Sequence, residues 1–137
     1  EICACLVGSE MCIRDRDVAE GGSFYEEYIK AASLLVQYRD VVIHVYNSKN
    51  RDIVTNYLEK LTAEIVRGYI ARKSEGQNIS DKDLEFISYF YSYAIIGSTY
   101  KWIESGMKAD FKHFIGKIAD SIDATLPVMI SKAGKAD

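Results

Sequence analysis

The fold of this chain is decided by one stretch, FISYFYSYAIIGSTY, which occupies Phe86–Tyr100. Its fifteen residues carry no charge and include six aromatic side chains. The stretch is shorter than the roughly 20 apolar residues of a membrane span, so it predicts a bundle helix covered on both sides. Ser80 and Asp83 precede it at the spacing of an N-terminal cap, and Gly106 follows where a left-handed C-terminal cap is expected. We therefore predict a central helix over about Asp81–Ser105.

Helical patterns continue on both sides of this central helix. Upstream, apolar residues recur at steps of three and four over Phe24–Tyr46, behind a capping box that begins at Ser23. An amphipathic helix is predicted over about Arg51–Lys73. Downstream, a last helix over about Ala109–Ile130 should be kinked or ended by Pro127. Because no strand-like alternation occurs, we predict an all-α bundle of about four main helices.

Length and charge exclude several classes of protein. A chain of 137 residues is long enough for one domain with its own core. Its net charge of −3 argues against a DNA-binding module, which normally presents a basic face. The sequence contains no membrane-spanning run and no recognisable secretory signal. We therefore expect a cytoplasmic protein without a membrane partner.

The first residues differ in character from the rest of the chain. All three cysteines lie within the first twelve residues, in a spacing that suits neither a disulfide framework nor a structural zinc site. The letters CLVGSEMCIRDR (Cys5–Arg16) resemble translated adapter read-through at the broken ends of assembled sequences. We interpret residues 1–16 as such an artefact, with a truncated coding sequence beginning near Asp17; a natural disordered tail is the alternative. The expected organisation is a suspect or disordered N-terminal segment at 1–22, a folded domain at 23–132 and a tail at 133–137.

Catalytic and metal-binding chemistry finds little support in the sequence. His44 and His113 are the two imidazoles, and Asp40 and Asp110 precede them by four and three residues. Each pair supplies at most half of a metal site, which needs three or four converging ligands. No glycine-rich phosphate loop, His-Glu-x-x-His motif or nucleophile elbow occurs. We therefore predict no metal, no cofactor and no enzyme, although a small helical enzyme that uses one of the histidines remains an alternative.

Hydroxyl side chains on the central helix favour a binding role. A buried hydroxyl needs a hydrogen-bond partner, which a neighbouring carbonyl can supply. Alternatively, hydroxyls among rings can line a small-molecule pocket, which is usually apolar with a few polar groups. We predict such a pocket between the first three predicted helices. The candidate ligand-binding residues are Tyr38, Tyr46, Tyr89, Ser92 and Tyr93.

A family resemblance makes the binding role more specific. The segment FISYFYSYAIIGSTYKWIESGMKADFKHFIGKI (Phe86–Ile118) resembles the C-terminal regulatory domain of TetR-family transcriptional regulators, of the type common in Firmicutes. The likeness rests on an aromatic helix with a central Gly97, on Lys101–Met107 around Trp102, and on a final amphipathic helix. It extends over about Phe24–Ser131. The resemblance implies a homodimer with an unknown small-molecule effector. It also implies that DNA is bound only through an N-terminal helix-turn-helix domain, which we expect this chain to lack.

The resemblance also implies that the two C-terminal helices pair with their copies in a second chain. The residues permit this, because one side of the central helix is apolar in the middle and carries both charge signs at its end. Gly97 would let two backbones approach closely. Its alternative role is to make room for Trp102 or another helix of the same chain. The candidate interface residues are Phe90, Gly97, Lys101, Phe114, Ile118 and Ile122. A free-standing helical interaction module remains the alternative to a regulator domain.

Overall fold

The computed structural model describes residues 22–135, and the interpretation of residues 1–16 lies outside the described residues. Within the described part the chain forms helices and no strand, so the predicted all-α class is confirmed. The helices are α1 (Phe24–Gln37), α2 (Arg39–Tyr46), α3 (Arg51–Lys73), α4 (Asp81–Glu104) and α5 (Phe111–Lys135). None of these described helices is long and apolar enough to cross a membrane.

Side-chain caps fix where three helices begin. The Ser23 hydroxyl accepts a hydrogen bond from the Glu26 amide at 3.2 Å, which caps α1. At α4, the Ser80 hydroxyl accepts from the Asp83 amide at 3.1 Å. At α5, a carboxylate oxygen of Asp110 accepts from the backbone amide of His113. Each such cap contributes about 1 kcal/mol, because it satisfies an amide that has no partner inside the helix.

The end of α4 is a sharp left-handed turn. Gly106 and Met107 both have positive φ, at 83° and 54°. The Met107 amide donates to the Trp102 carbonyl, and the Gly106 amide donates to the Ile103 carbonyl, each at 2.9 Å. This pair of bonds is the Schellman motif, so the glycine stands where the sequence predicted a C-terminal cap. The turn starts the return of the chain towards α5.

The first predicted helix, Phe24–Tyr46, is two helices in the structure. Tyr38 leaves the helical region, with φ −110° and ψ 35°, and divides α1 from α2. The guanidinium of Arg39, the next residue, donates to the Gly106 carbonyl at 2.7 Å, which ties the break to the turn after α4. The prediction of one continuous helix was therefore wrong. No proline or glycine lies at the break. The chain changes direction at Tyr38 alone, so the sequence carries no local signal for it.

The last helix is longer than predicted. It ends at Lys135 rather than near Ile130, with Pro127 inside it, so part of the expected tail is helical. Upstream of the helix, the α4–α5 connection is held by Trp102, whose indole nitrogen donates to the Ala109 carbonyl at 3.0 Å. The Trp102 ring packs against Phe111 and stacks on Phe114, at centroid distances of 5.6 and 5.2 Å.

The core lies where the five helices meet, and α3 packs most extensively against α4. At its centre the Tyr28 ring is fully enclosed and stacks on Phe24 at 5.4 Å. The Tyr28 hydroxyl lies 3.5 Å from the hydroxyls of Thr62 and Thr99, which are buried with it. Burial raises the pKa of Tyr28, because a phenolate would lose its hydration there. The hydroxyls of these three residues are thus matched to one another.

The expectation that α4 is covered on both sides was wrong for the single chain. Four large side chains in its first half are 46% to 68% exposed. They are Phe86, Tyr89, Phe90 and Tyr93. The other helices cover the inner side of α4 and leave its outer side open, and the candidate sites lie on or beside that open side.

Candidate functional site

A groove with a volume of about 320 Å³ runs between α3 and α4. Its size falls at the lower end of the range for small-molecule sites, about 300 to 1,000 Å³. On α3 the lining residues recur every four positions, which places them on one stripe of the helix. The lining residues are Glu59, Ala63, Arg67, Glu85, Ser88, Tyr89, Ser92, Tyr93 and Ile96. Rings, aliphatic groups, hydroxyls and charges therefore converge on one cleft.

Ser92 gives the groove an unused hydroxyl. The side chain is 6% exposed, and its oxygen has no hydrogen-bond partner among the described residues. The other hydroxyls of α4 behave differently, because Ser88, Ser98 and Thr99 each donate at 2.8 Å to the carbonyl four residues earlier. A nearly buried hydroxyl normally has a partner. Ser92 therefore offers a donor and an acceptor to whatever enters the groove.

Glu59 is held in place at the groove by a neighbouring tyrosine. The Tyr100 hydroxyl donates to Glu59 Oε1 at 3.2 Å. Burial, and then the charge of Glu59, raise the pKa of Tyr100, so this tyrosine remains a donor at neutral pH. The ring of Tyr100 packs against Tyr46 at 5.8 Å. This arrangement fixes Oε1 and leaves Oε2 of the carboxylate for another partner.

The other two charged groups of the groove are unpaired within residues 22–135. Neither Arg67 nor Glu85 makes a hydrogen bond or an ion pair with a described residue. With Glu59 they give the lining two carboxylates and one guanidinium, a net charge of −1. These three residues were not among the site residues predicted from the sequence. Their spacing on α3 and α4 is visible in the sequence, but that they face each other depends on how the helices pack.

Three of the five predicted ligand-binding residues line this groove, and two do not. Tyr89, Ser92 and Tyr93 are lining residues, whereas Tyr38 and Tyr46 are not. Tyr38 is half-buried at the break between α1 and α2. Tyr46 lies in the core and donates its hydroxyl to Glu104 Oε1 at 2.9 Å. The groove lies between two helices rather than among three.

The outer face of α4 adjoins the groove. Its rings form a connected row: Phe86 lies 5.1 Å from Tyr89 and 6.0 Å from Phe90, and Tyr89 lies 6.4 Å from Tyr93. Further along, Gly97 is exposed, and a Cβ added there would meet nothing within 4 Å. The alternative that Gly97 makes room inside the chain is therefore wrong.

The six predicted interface residues divide between the two sides of the molecule. Phe90, Gly97 and Lys101 are exposed on the outer face of α4. Phe114 and Ile118 on α5 are half-buried, and Phe114 is already occupied in stacking on Trp102. Ile122 is 4% exposed and belongs to the core, so its inclusion in the surface needs correction. Ile122 lies on the side of α5 that faces the core, so its side chain has no exposed surface for a partner.

The two histidines lie apart from these features. His44 and His113 are both exposed, and no group of three or more metal-ligating side chains occurs among residues 22–135. Asp110 has a structural role, because its carboxylate caps α5.

A comparison with known families agrees with the bundle and its aromatic helix. A family model of TetR type, described as "Transcriptional regulator C-terminal region", matches residues 23–124. The match spans most of the chain, which therefore belongs to this family of regulatory domains. No curated protein and no solved structure matches the chain.

Proposed function

We propose that this domain senses a small molecule in the groove between α3 and α4 and forms a homodimer through the outer face of α4. The observation that carries the proposal is the continuity of the two surfaces. Tyr89 and Tyr93 line the groove and also belong to the row of exposed rings that leads to Gly97. A ligand in the groove and a partner on the face would therefore touch the same side chains.

The outer face has the composition of a twofold interface. Its centre is aromatic, with Phe90 and Tyr93 more than half exposed, and Lys101 and Glu104 provide both charge signs at one end. A twofold interface must be complementary to itself, and such a pattern allows it. Covering a half-exposed ring contributes about 1 kcal/mol, and every contact occurs twice in a symmetric dimer. The open space at Gly97 allows the two copies of α4 to approach closely.

We assign no DNA contact to this domain. The net charge of the full chain is −3, whereas binding to DNA depends on cations that displace counterions from phosphates. In the proposed scheme, the operator is bound by another domain of the regulator, and the protein acts in the cytoplasm. The groove and the outer face would then pass the presence of a ligand to that domain through the dimer.

Gly97→Leu tests the dimer directly. Leucine favours helix more than glycine does, so the chain should remain folded. Its side chain would hold two α4 helices apart, and sedimentation should show a dimer for the wild type and a monomer for the variant. Gly68→Leu is the matched control on α3, where an added Cβ would meet only the end of the Arg72 side chain at 3.5 Å. A wild type that sediments as a monomer at high concentration would contradict the interface.

A further inference from the structure

The charges of the groove indicate which kind of ligand it prefers. The lining carries two carboxylates, Glu59 and Glu85, and one guanidinium, Arg67, so its net charge is −1 and favours a cation. The Tyr100 hydroxyl holds Glu59 Oε1, so this carboxylate is oriented before any ligand arrives. An oriented carboxylate at the wall of a small cleft attracts a cation at little cost in side-chain ordering.

The rings of the groove have the same preference. Tyr89 and Tyr93 line it and are 48% and 68% exposed, so their faces are accessible to a ligand. The face of an aromatic ring carries negative charge density, which attracts ammonium and similar groups. Ile96 is nearly buried at the same groove and adds an apolar contact. Together these groups suit a molecule with an apolar ring and a positive charge.

Ser92 adds a hydrogen-bonding position. Ser92 is 6% exposed and lines the groove, and its hydroxyl has no partner among the described residues. A ligand in the groove can make a hydrogen bond there in place of water. A hydroxyl or carbonyl substituent on the ligand would do so.

Resting on the proposed sensing function, we propose that the groove binds a small aromatic organic cation. Its positive group lies beside Glu59, its ring lies against Tyr89 and Tyr93, and a polar substituent meets the Ser92 hydroxyl. Tyr100 is a positioning residue, which acts on the ligand through Glu59.

Three probes with one aromatic body test the preference for charge. They are (2-naphthylmethyl)trimethylammonium, 2-naphthylmethanol and 2-naphthylacetate, which are a cation, a neutral alcohol and an anion. Calorimetric titration of the full chain should show the cation binding about tenfold more tightly than the anion, equivalent to about 1.4 kcal/mol. Amide chemical-shift changes upon addition of the cation should be concentrated around the groove residues of α3 and α4.

Variants of the full chain assign the preference to particular side chains. Glu59→Gln should weaken binding of the cation several-fold and leave the affinity for the neutral alcohol unchanged, because only the charge of the side chain is removed. Ser92→Ala should weaken binding of the alcohol and leave the affinity for the cation unchanged, because the quaternary ammonium group cannot form a hydrogen bond with the Ser92 hydroxyl. Asp120→Asn is the control, since it removes a carboxylate from α5, which does not line the groove.

The outcomes separate this proposal from the proposed function. Tighter binding of the anion, with loss upon Arg67→Gln, would overturn the cation preference and leave ligand sensing in place. Unchanged affinity of Glu59→Gln for the cation would also overturn it. Failure of all three probes to shift any groove residue would count against both the cation and the groove as the sensing site. The dimer would still be judged separately by the Gly97→Leu experiment.

Discussion

The two faces of α4 differ less in sequence than in what lies opposite them. The inner face carries Ile87, Tyr91 and Ile95, which are packed into the core. The outer face carries Phe90 and Tyr93, which are equally aromatic and remain more than half exposed. Apolar composition alone therefore predicted that both sides are covered, but a single chain covers only one. What completes the other side, in our proposal, is a second copy and a ligand in the groove at its edge.

The largest expected difference between the faces is in the stability of the monomeric chain. Trp102→Ala removes a buried ring that packs against Phe111 and Phe114 and donates a hydrogen bond to Ala109. The free energy of unfolding should fall by about 3 to 5 kcal/mol, as for other large aromatic side chains in cores. Urea denaturation, followed by circular dichroism, measures this loss.

Phe90→Ala is the matched substitution on the outer face. At a protein concentration low enough for monomers, it should change the free energy of unfolding by less than about 1 kcal/mol, because surface substitutions rarely cost more. At higher concentration the same variant should sediment as a weaker dimer than the wild type. Equal losses of stability for the two variants in the monomer would show that the outer face contributes to the fold of the single chain.

Tyr100, at the edge between the two faces, should make the stability of the chain depend on pH under alkaline conditions. Tyr100 donates to Glu59, and burial together with that carboxylate raises its pKa above the ordinary 10.0. The unfolded chain ionises this tyrosine near pH 10, while the folded chain keeps it neutral. Its contribution to stability is therefore complete below pH 10 and is lost as the pH rises from there towards the raised pKa. In Tyr100→Phe, the fall in stability above pH 10 should be shallower than in the wild type. Parallel curves would contradict this role.

The same comparison shows which features of the structure could be predicted from the sequence alone. The extent of α4 was predicted within one residue, since its caps and apolar run are local signals. The break at Tyr38 was missed because it depends on packing, with Arg39 bonded to the turn at Gly106. The charges of the groove were missed for a related reason. In the sequence, Glu59 and Arg67 belong to an ordinary solvent-exposed stripe of α3. That they line a groove becomes visible only when α4 is packed beside them.

The smallest expected effect comes from removing a single hydroxyl group from each face. The Tyr91 hydroxyl lies 2.7 Å from the Thr125 hydroxyl of α5, whereas Tyr93, two residues later, points its ring into the open. Tyr91→Phe should lower the free energy of unfolding by about 1 kcal/mol, the usual net value of one hydrogen bond inside a protein. Tyr93→Phe removes the same atom from the outer face and should have no measurable effect on the monomer. Thr125→Val separates the hydrogen bond from the rest of the Tyr91 environment: if the bond is the cause, Tyr91→Phe should cost much less in the Thr125→Val background than in the wild type. An undiminished cost there would mean that the inner face is held by ring packing alone, and that the two faces differ only in the apolar area that they bury.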